Sequence, residues 1–495
     1  MAKPILAIDQ GTTGSTALVV APSGETLARA NVEFPQHFPK PGWVEHEPEQ
    51  IWASVEASVR KALESAKLGG TDLAGIGITN QRETTVVWDR KSGAPIHRAI
   101  VWQCRRTADV CQKLEREGKA ELVKRKTGLV LDAYFSGTKI AWLLDNVRGA
   151  RERAEKGELA SGTIDTYVVH KLTGGSKHVT DVTNASRTLL MDLKTLAWDD
   201  EMLALFRVPR SVLPQIVQSA EIVGETRGVG FLPDGIPIAG IAGDQQAALF
   251  GQACFDKGDA KCTYGTGAFA LVNTGSEPIW SSHGLVTTVA WRIGGKTTYA
   301  LEGSAFIAGA AVQWLRDGLG VIQTSADVEA LAKKVESSEA VAFVPALAGL
   351  GAPHWDPDAR GTITGLTRGT TAAHIARATL EGIAFSVWDL LSAMEKDAGA
   401  IKRLRVDGGA SRNDLLMQFQ ADIARVTVER PDDVESTGRG AAMLAGVGLG
   451  IVQTQQARAM SKVERTFEPK MKEKDREAHL SKWRDAVLRT LSKRP

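Results

Sequence analysis

The chain has 495 residues, more than a single hydrophobic core usually organises, so two large domains are expected. Its 60 Lys and Arg residues nearly balance 58 Asp and Glu residues, which excludes the strong basic field typical of proteins that bind nucleic acid or an anionic membrane surface. Hydrophobic residues make up 43% and charged residues 24%, as in ordinary soluble globular proteins.

The sequence also argues against secretion and membrane insertion. No apolar run approaches the length of a transmembrane helix, and the run after Lys3 is too short for the core of a signal peptide. The four cysteines form no CxxC pair, so free thiols are expected rather than a disulfide framework. We therefore expect a cytoplasmic protein without integral membrane association and without a nucleic-acid partner.

The first predicted strand covers the apolar residues 5–8, and a polar turn follows at residues 10–14. Asp9 lies where this strand is expected to reach solvent. The two glycines of the turn permit positive φ, and its two threonines offer hydroxyls and backbone amides that could surround a phosphate. The turn lacks the spacing and the lysine of a P-loop, so an ordinary hairpin into a second strand over residues 16–20 remains an alternative interpretation.

Strands and helices then alternate, which predicts an α/β domain. A helix is predicted to start at Pro48, and two apolar strands, 75–79 and 84–88, flank Arg82 and Glu83. An Arg-Glu pair is often only a solvated ion pair, but loops between strands frequently carry function. The remaining predicted elements of this region are a strand over 100–102 that leads into a helix containing Arg105 and Arg106, and a helix after Tyr134 with Ser136 as its N-cap.

A second buried strand is predicted over residues 236–243, and it ends at Asp244, Gln245 and Gln246 before a helical segment. Asp244 could simply cap that helix. A carboxylate at the mouth of a strand, beside two amides, could also accept a proton and bind a polyol. An ordinary pKa of about 3.9 would leave it ionised at neutral pH.

Residues 260–272 repeat the design of the N-terminus. A strand over 260–264 is followed by the turn Gly265-Thr266-Gly267 and by a strand over 268–272. This turn lies about half the chain length after the first one. Two such turns, each opening one half, predict duplicated domains that face a common cleft and hold one polyphosphate from both sides.

The rest of the second half carries further signals for a nucleotide site. Small residues over 303–314 predict a helix that a ligand or another backbone could approach, and 374–394 predicts a long amphipathic helix. Residues 404–413 read as strand, glycine loop and helix start, a form that brings a nucleotide close to backbone, although the GxGxxG spacing is absent. A C-terminal helix is predicted around Leu480 and Trp483.

Several stretches, in the same order along the chain, resemble the glycerol kinases of the FGGY family of carbohydrate kinases. The stretches that carry the resemblance are Asp9 to Thr13, Gly77 to Thr84, Trp102 to Thr107, Gly243 to Gly251 and Tyr264 to Gly267. Residues 134–146 and 361–381 are similar to the two signature stretches of the wider family. The resemblance covers nearly the whole chain.

This resemblance implies an α/β fold of two duplicated actin/Hsp70/hexokinase-like (ribonuclease H-like) ATPase domains flanking a cleft. The N-terminal domain would cover residues 1–250 and the C-terminal domain residues 251–495. It also implies ATP-dependent phosphorylation of glycerol to sn-glycerol 3-phosphate, with Mg²⁺ as cofactor, ATP as co-substrate and a homodimer or homotetramer as the assembly.

The same resemblance assigns roles to individual residues, with Asp244 as the general base and Asp9 orienting magnesium through its waters. The residues implied to bind glycerol are Arg82, Glu83, Trp102, Tyr134, Asp244 and Gln245. The residues implied to contact the nucleotide are Thr12, Thr13, Gly14, Thr266, Gly309, Gln313, Gly409 and Asn413. Many members of the family carry Ser and Arg where this chain has Gly14 and Thr16, so one phosphate contact differs here.

Two alternatives remain open from the sequence. One is another FGGY polyol or sugar kinase, which would share the fold and the phosphate turns. The other is a nucleotide-switched interaction protein of the actin or Hsp70 kind. That alternative explains the paired turns but gives no role to Arg82, Glu83 and Tyr134.

Overall fold

Two mixed β-sheets, one in each half of the chain, form the framework of the protein. The computed structural model describes residues 3–492. The strands of the first half are β1 (Ile5–Gln10), β2 (Gly14–Val20), β3 (Thr26–Glu33), β4 (Glu45–His46), β5 (Gly75–Asn80), β6 (Thr85–Asp89), β7 (Ala99–Ile100), β8 (Leu159–Thr163), β9 (Val179–Asp181), β10 (Met191–Asp192), β11 (Ala197–Trp198), β12 (Gln215–Val217), β13 (Ala220–Glu225) and β14 (Pro237–Gly243). The helices of this half are α1 (Pro48–Ala66), α2 (Ala108–Arg116), α3 (Ala120–Thr127), α4 (Ser136–Asn146), α5 (Ala150–Glu155), α6 (Ile164–Leu172), α7 (Val182–Ala185), α8 (Asp200–Phe206) and α9 (Asp244–Gly251).

The second half contains its own strands and helices. The strands are β15 (Asp259–Tyr264), β16 (Ala268–Gly275), β17 (Val286–Ile293), β18 (Lys296–Ala305), β19 (Ala342–Val344), β20 (Thr362–Thr364), β21 (Arg403–Asp407), β22 (Val428–Pro431) and β23 (Val463–Phe467). The helices are α10 (Gly309–Asp317), α11 (Asp327–Ala332), α12 (Ala372–Ala398), α13 (Asp414–Ala424), α14 (Ser436–Gly448), α15 (Thr454–Ala457) and α16 (Glu473–Thr490). Short 3₁₀ helices occur at Gly70–Asp72, Arg210–Val212, Gly409–Arg412 and Arg458–Met460.

The two large sheets repeat one arrangement, as the paired turns predict. The first has the strand order β13-β14-β5-β1-β2-β3, and the second has the order β17-β18-β16-β15-β21-β22-β23. In each, the opening strand pairs antiparallel with the strand after its turn and parallel with a later strand: β1 with β2 and β5, β15 with β16 and β21. A smaller sheet, β4-β7-β6-β8, extends the first half.

Helix α14 joins the two halves. It belongs to the second half of the chain but packs against β14, β5 and β1 of the first sheet and against helix α9. Glycines allow this close approach: a Cβ atom on Gly440 would lie 1.8 Å from the carbonyl oxygen of Ala247, and one on Gly77 would lie 2.2 Å from that of Ala441. The cleft that these elements border therefore has a closely packed base.

Several predicted elements are confirmed by the structure. Helix α1 starts at Pro48, the predicted amphipathic helix forms as α12, and Leu480 and Trp483 are buried on α16. The four cysteines are free and buried. Among residues 3–492, no helix combines the length and the apolar character that a membrane crossing requires.

Other local predictions were wrong. Residues 303–305 end strand β18, because they pair with β16, and the helix begins only at Gly309. Ser136 is the first residue of α4 rather than its cap. Its hydroxyl donates instead to the carbonyl oxygen of Glu83, so Phe135 occupies the N-cap position.

The predicted boundaries around the candidate site also need correction. Strand β7 ends at Ile100, and helix α2 starts at Ala108, so Arg105 and Arg106 lie in the loop between them. Strand β1 continues through Asp9 to Gln10, and Asp9 is partly buried where the strand borders a cavity.

The glycines of the two turns do not use positive φ. Gly14 instead lets β3 approach, since a Cβ atom there would lie 2.9 Å from the carbonyl oxygen of Val32.

Candidate active site

A buried network of charged side chains lies where strands β5 and β14 end beside the cleft. Arg82 follows β5 and is 3% exposed. Its Nη1 and Nη2 atoms donate to the two carboxylate oxygens of Glu302 at 2.6 and 2.8 Å, and its Nε lies 3.2 Å from Oδ1 of Asp244. The two parallel hydrogen bonds that Glu302 accepts fix the plane of the Arg82 guanidinium.

Arg187 and Glu83 complete this network. The Nε atom of Arg187 donates to Oε1 of Glu83 at 2.7 Å, and its Nη2 donates to Oε1 of Glu302 at 3.0 Å. Burial raises the pKa of Glu83 despite the opposing arginines, whereas for Glu302 the charges of Arg187 and Arg82 outweigh burial and lower the pKa to about 2. Glu302 is therefore the fixed anion that holds both arginines in place.

Glu83 also occupies an unusual backbone conformation, with φ at 58°. A residue with a long side chain adopts the left-handed region rarely and at a cost of about 1–3 kcal/mol, so the surrounding contacts must hold it there. Its carbonyl oxygen accepts hydrogen bonds from the Ser136 hydroxyl at 3.1 Å and from the Thr85 hydroxyl at 3.1 Å. The loop between β5 and β6 is thus rigidly supported.

Two aromatic side chains form the adjoining wall. The Tyr134 hydroxyl lies 3.5 Å from Nη2 of Arg82, and its ring meets that of Trp102 edge to face at a centroid distance of 5.7 Å. Burial raises the pKa of Tyr134, so its hydroxyl stays protonated and can donate. The indole Nε1 of Trp102 donates to the hydroxyl of Thr12 at 3.0 Å, which connects this wall to the first turn.

Asp244 is the first residue of α9, and Gly243 occupies the N-cap position. Its Oδ1 accepts a hydrogen bond from the backbone amide of Gln245 at 2.7 Å, and within the described residues Oδ2 has no hydrogen-bond partner. About 30% of the side chain is exposed. Burial raises its pKa although Arg82 and Lys261 oppose that effect, so the expectation of an ordinary pKa was wrong. A raised pKa makes the carboxylate a better proton acceptor near neutral pH.

On the other side of the cleft, a cavity of about 460 Å³ is bordered by both halves of the chain. Asp9 contributes from β1, Thr263 and Asp407 contribute from the second sheet, and Gly409 contributes from the 3₁₀ helix after β21. Burial and the nearby charge of Asp244 raise the pKa of Asp9 to about 8. The structure therefore brings the candidate metal residue and a candidate nucleotide residue together at one cavity.

The residues of the two turns have corresponding positions. Thr13 and Thr266 are both exposed at the tips of their turns. Gly309 lies against the second turn: its amide donates to the carbonyl oxygen of Gly265 at 2.9 Å, and a Cβ atom there would lie only 2.6 Å from that oxygen. Gly14 is buried against β3, with its carbonyl closing the first turn, so its predicted contact with the nucleotide remains a prediction.

Two further candidate nucleotide residues lie on helices of the second half. Gln313 is exposed on α10, one turn after Gly309. Asn413 caps α13, because its Oδ1 accepts a hydrogen bond from the amide of Leu416 at 2.9 Å. Within the described residues, the amide nitrogen of this side chain makes no hydrogen bond, and its contact with the nucleotide remains a prediction.

A chain of amides supports the first turn from behind. Gln81 Nε2 donates to Nδ1 of His46 at 3.3 Å, and Nε2 of His46 then donates to Oε1 of Gln36 at 2.5 Å. Gln36 in turn donates to the carbonyl oxygen of Thr12 at 3.0 Å. Since Nδ1 must accept, His46 is neutral, and burial lowers its pKa to about 3.

The carboxylates present suit a magnesium ion that accompanies a polyphosphate. Within residues 3–492, no group of three or more His, Cys, Asp or Glu side chains forms a metal cage. The side chain of Asp9 has no hydrogen bond or ion pair within the same residues, and it borders the cavity. Magnesium is typically bound by one or two carboxylates together with waters and phosphate oxygens, so an uncommitted Asp9 fits that role.

Sequence reasoning missed three buried residues of this site: Arg187, Glu302 and Lys261. None belongs to a motif that carries recognisable spacing. The available signal was a charged residue between apolar or small neighbours inside a strand: Lys261 lies between Ala260 and Cys262 in β15, and Glu302 lies between Leu301 and Gly303 in β18.

The fold and the site define a two-domain carbohydrate kinase. Residues 4–251 match the N-terminal domain of the FGGY family of carbohydrate kinases, and residues 260–449 match its C-terminal domain. The chain belongs to this family.

Similar proteins include a protein named glycerol kinase from Myxococcus xanthus, 60% identical over 99% of both chains, and one of the same name from Bdellovibrio bacteriovorus, 54% identical over 99% of both. A solved structure of Plasmodium falciparum glycerol kinase with ADP superposes with a TM-score of 0.91 at 38% identity, covering 99% of this chain and 98% of that one.

Proposed function

We propose that this chain catalyses the ATP-dependent phosphorylation of glycerol to sn-glycerol 3-phosphate. The observation that carries the proposal is the position of Asp244: a partly exposed carboxylate between the buried Arg82 network and the cavity, with Oδ2 uncommitted. The similarity over nearly the whole chain to proteins named glycerol kinase supports the choice of substrate.

In this mechanism, Arg82, Glu83 and Tyr134 bind the hydroxyls of glycerol, and Trp102 packs against its carbon chain. The buried polar groups favour glycerol over deoxy analogues, because an unmatched donor or acceptor costs about 1–3 kcal/mol. Asp244 accepts the proton of the terminal hydroxyl as that oxygen attacks the γ-phosphorus, and the bond from this phosphorus to the bridging oxygen breaks to release ADP.

The nucleotide occupies the cavity between the two turns. Thr12, Thr13 and Gly14 bind phosphates from the first half, and Thr266, Gly309, Gln313, Gly409 and Asn413 bind the nucleotide from the second. Asp9 would hold the magnesium ion that accompanies ATP. Magnesium would supply charge neutralisation on the transferred phosphoryl group, and the turns would supply alignment.

We further propose a domain boundary between residues 250 and 251, at the end of helix α9. The two outer limits of these domains, residues 1 and 495, fall outside the described residues. A cytoplasmic location and a homodimeric or homotetrameric assembly belong to the same proposal.

The proposal is tested by identifying the product. The purified protein is incubated with glycerol, ATP and Mg²⁺, and the product is offered to a dehydrogenase specific for sn-glycerol 3-phosphate. We expect stoichiometric reduction of NAD⁺ that requires both glycerol and ATP. Release of ADP without a substrate for that dehydrogenase would refute the proposed reaction.

A further inference from the structure

Lys261 is a fully buried cation that the mechanism above does not use. It lies on β15, between the cleft and helix α9, and its side chain is 0% exposed. Its Nζ donates to Oε1 of Gln245 and to the hydroxyl of Thr263, the latter at 2.9 Å. No carboxylate among the described residues forms an ion pair with it. A buried cation held only by neutral groups is costly, so its presence calls for a functional explanation.

The contact with Gln245 determines how that amide is oriented. An ammonium group can donate but cannot accept, so the atom that faces Lys261 must be the carbonyl oxygen of the amide. The NH₂ group of Gln245 therefore points away from Lys261. Gln245 is itself 8% exposed and directly follows Asp244, so the NH₂ group is the part of this side chain left for a ligand.

The surrounding charges favour the charged form of Lys261. Burial lowers the pKa of Lys261, and the carboxylates of Asp407 and Asp244 oppose that effect. Asp407 is 1% exposed, and neither of its carboxylate oxygens has a hydrogen-bond partner. The charges of Asp407 and Asp244 thus favour the ammonium form from beyond ion-pair distance, and the position of Nζ is fixed by its hydrogen bonds to Gln245 and Thr263.

We propose that Lys261 is a positioning residue that fixes the amide of Gln245 so that only donor hydrogens face the glycerol pocket. The adjacent Asp244 offers only acceptor oxygens. The pair then recognises two neighbouring hydroxyls in different ways: one must accept a hydrogen bond from Gln245, and the other must donate its proton to Asp244. This inference rests on the proposed function and adds the reason why the pocket selects a vicinal diol.

The test is a double-mutant cycle on glycerol binding, measured by equilibrium dialysis of labelled glycerol. We expect Gln245→Leu and Lys261→Met each to raise the dissociation constant about tenfold, since each removes the same oriented hydrogen bond. The double variant should be no more than about threefold weaker than either single variant, because both changes act on one contact. Lys261→Arg, which keeps the charge and the donors, should retain most of the affinity.

Two controls separate positioning from general damage. Lys139 is an equally buried lysine that donates to the backbone carbonyl oxygens of Tyr134, Phe135 and Glu83, so it supports a different part of the glycerol pocket and has no hydrogen bond with Gln245. Lys139→Met should therefore combine additively with Gln245→Leu. The dissociation constant of ADP should change less than about threefold in the Lys261 variants, whereas a merely structural role for Lys261 would weaken both ligands.

If Lys261→Met alone fails to fold, the cycle is measured in the Asp407→Asn background, which removes the carboxylate that Lys261 balances. Additive effects, with the double variant about a hundredfold weaker than wild type, would overturn the inference while leaving the proposed function intact. Absence of glycerol binding by the wild type would overturn both.

Discussion

Glu302 is the residue whose replacement tests the buried network most sharply. It is 1% exposed and accepts three hydrogen bonds from Arg82 and Arg187, at 2.6, 2.8 and 3.0 Å. Glu302→Gln keeps the shape of the side chain but removes the charge and places an NH₂ group against a guanidinium. Among the described residues, Arg187 then keeps only Glu83 as an ion-pair partner, whereas Arg82 keeps Asp244 at 3.2 Å and Glu83 at 3.9 Å.

The lowered pKa of Glu302 indicates how much free energy of unfolding this substitution removes. Burial alone would raise the pKa of Glu302, but Arg187 and Arg82 outweigh burial and lower it from 4.5 to about 2. A shift of this size corresponds to about 3 kcal/mol, which agrees with the roughly 3–5 kcal/mol lost when one partner of a buried ion pair is removed. We therefore expect the free energy of unfolding to fall by about 3 kcal/mol at pH 7.

The assay is equilibrium urea unfolding of wild type and variant at several pH values. Because the pKa of Glu302 is lower in the folded state, its contribution is fully present above pH 4.5 and is lost as the pH falls from 4.5 toward 2. The difference between wild type and Glu302→Gln should therefore narrow over that interval. Glu56→Gln, which breaks an exposed pair with Arg60 at 2.8 Å, serves as the control and should cost less than about 0.5 kcal/mol. If Glu302→Gln lowers the free energy of unfolding by less than about 1 kcal/mol at pH 7, the ion pairs of Glu302 with Arg82 and Arg187 do not stabilise the fold as inferred.

Three further predictions concern the base, the second turn and the support of the first turn. Asp244→Asn should lower kcat by about 10²–10⁴-fold in an ADP-release assay and leave the ADP affinity from calorimetry within about threefold; near-normal kcat would remove Asp244 as the base. Gly309→Ala should weaken ADP binding and reduce the free energy of unfolding by about 1–3 kcal/mol, because the new Cβ atom would lie 2.6 Å from the oxygen of Gly265; unchanged ADP affinity would contradict this contact. The pKa of His46 is about 3 in the folded state, which is lower than in the unfolded state. The contribution of the neutral imidazole to the free energy of unfolding is therefore present above pH 6.5 and is lost as the pH falls toward 3. Wild type should therefore lose stability relative to His46→Gln by up to about 1.4 kcal/mol per pH unit over that range in urea unfolding, and a difference independent of pH would show that His46 is not held neutral.

The elements that sequence reasoning predicted correctly are those with strong local patterns. The turn at residues 10–14 and its counterpart at 265–267 could be recognised because apolar strands flank a short run of Gly and Thr in both places. Strands β5 and β21 were predicted as well, but their parallel pairing with β1 and β15 is visible only in the structure. Arg82 and Asp244 could be predicted as candidate site residues because each closely follows a predicted buried strand, β5 for Arg82 and β14 for Asp244.

The parts that were missed depend on contacts between distant residues. Glu302 and Arg82 are 220 residues apart in the sequence, and Arg187 and Glu83 are 104 residues apart. No local sequence pattern therefore predicts either ion pair. The small residues at 303–305 are compatible with either a helix or a strand, and they form a strand because they pair with β16. Serine is a common N-cap residue, yet the hydroxyl of Ser136 donates its hydrogen bond to the carbonyl oxygen of Glu83 instead.

The proposed cleft phosphorylates glycerol in preference to larger polyol and sugar substrates. The most direct measurement is kcat/KM for ATP-dependent ADP release with glycerol, D-xylulose and D-gluconate under identical conditions. The buried donors and acceptors around Arg82 and Asp244 predict that glycerol exceeds both sugars by at least about 10²-fold, since mismatched polar groups in a closed pocket cost several kcal/mol in total. An equal or higher kcat/KM for either sugar would contradict the account.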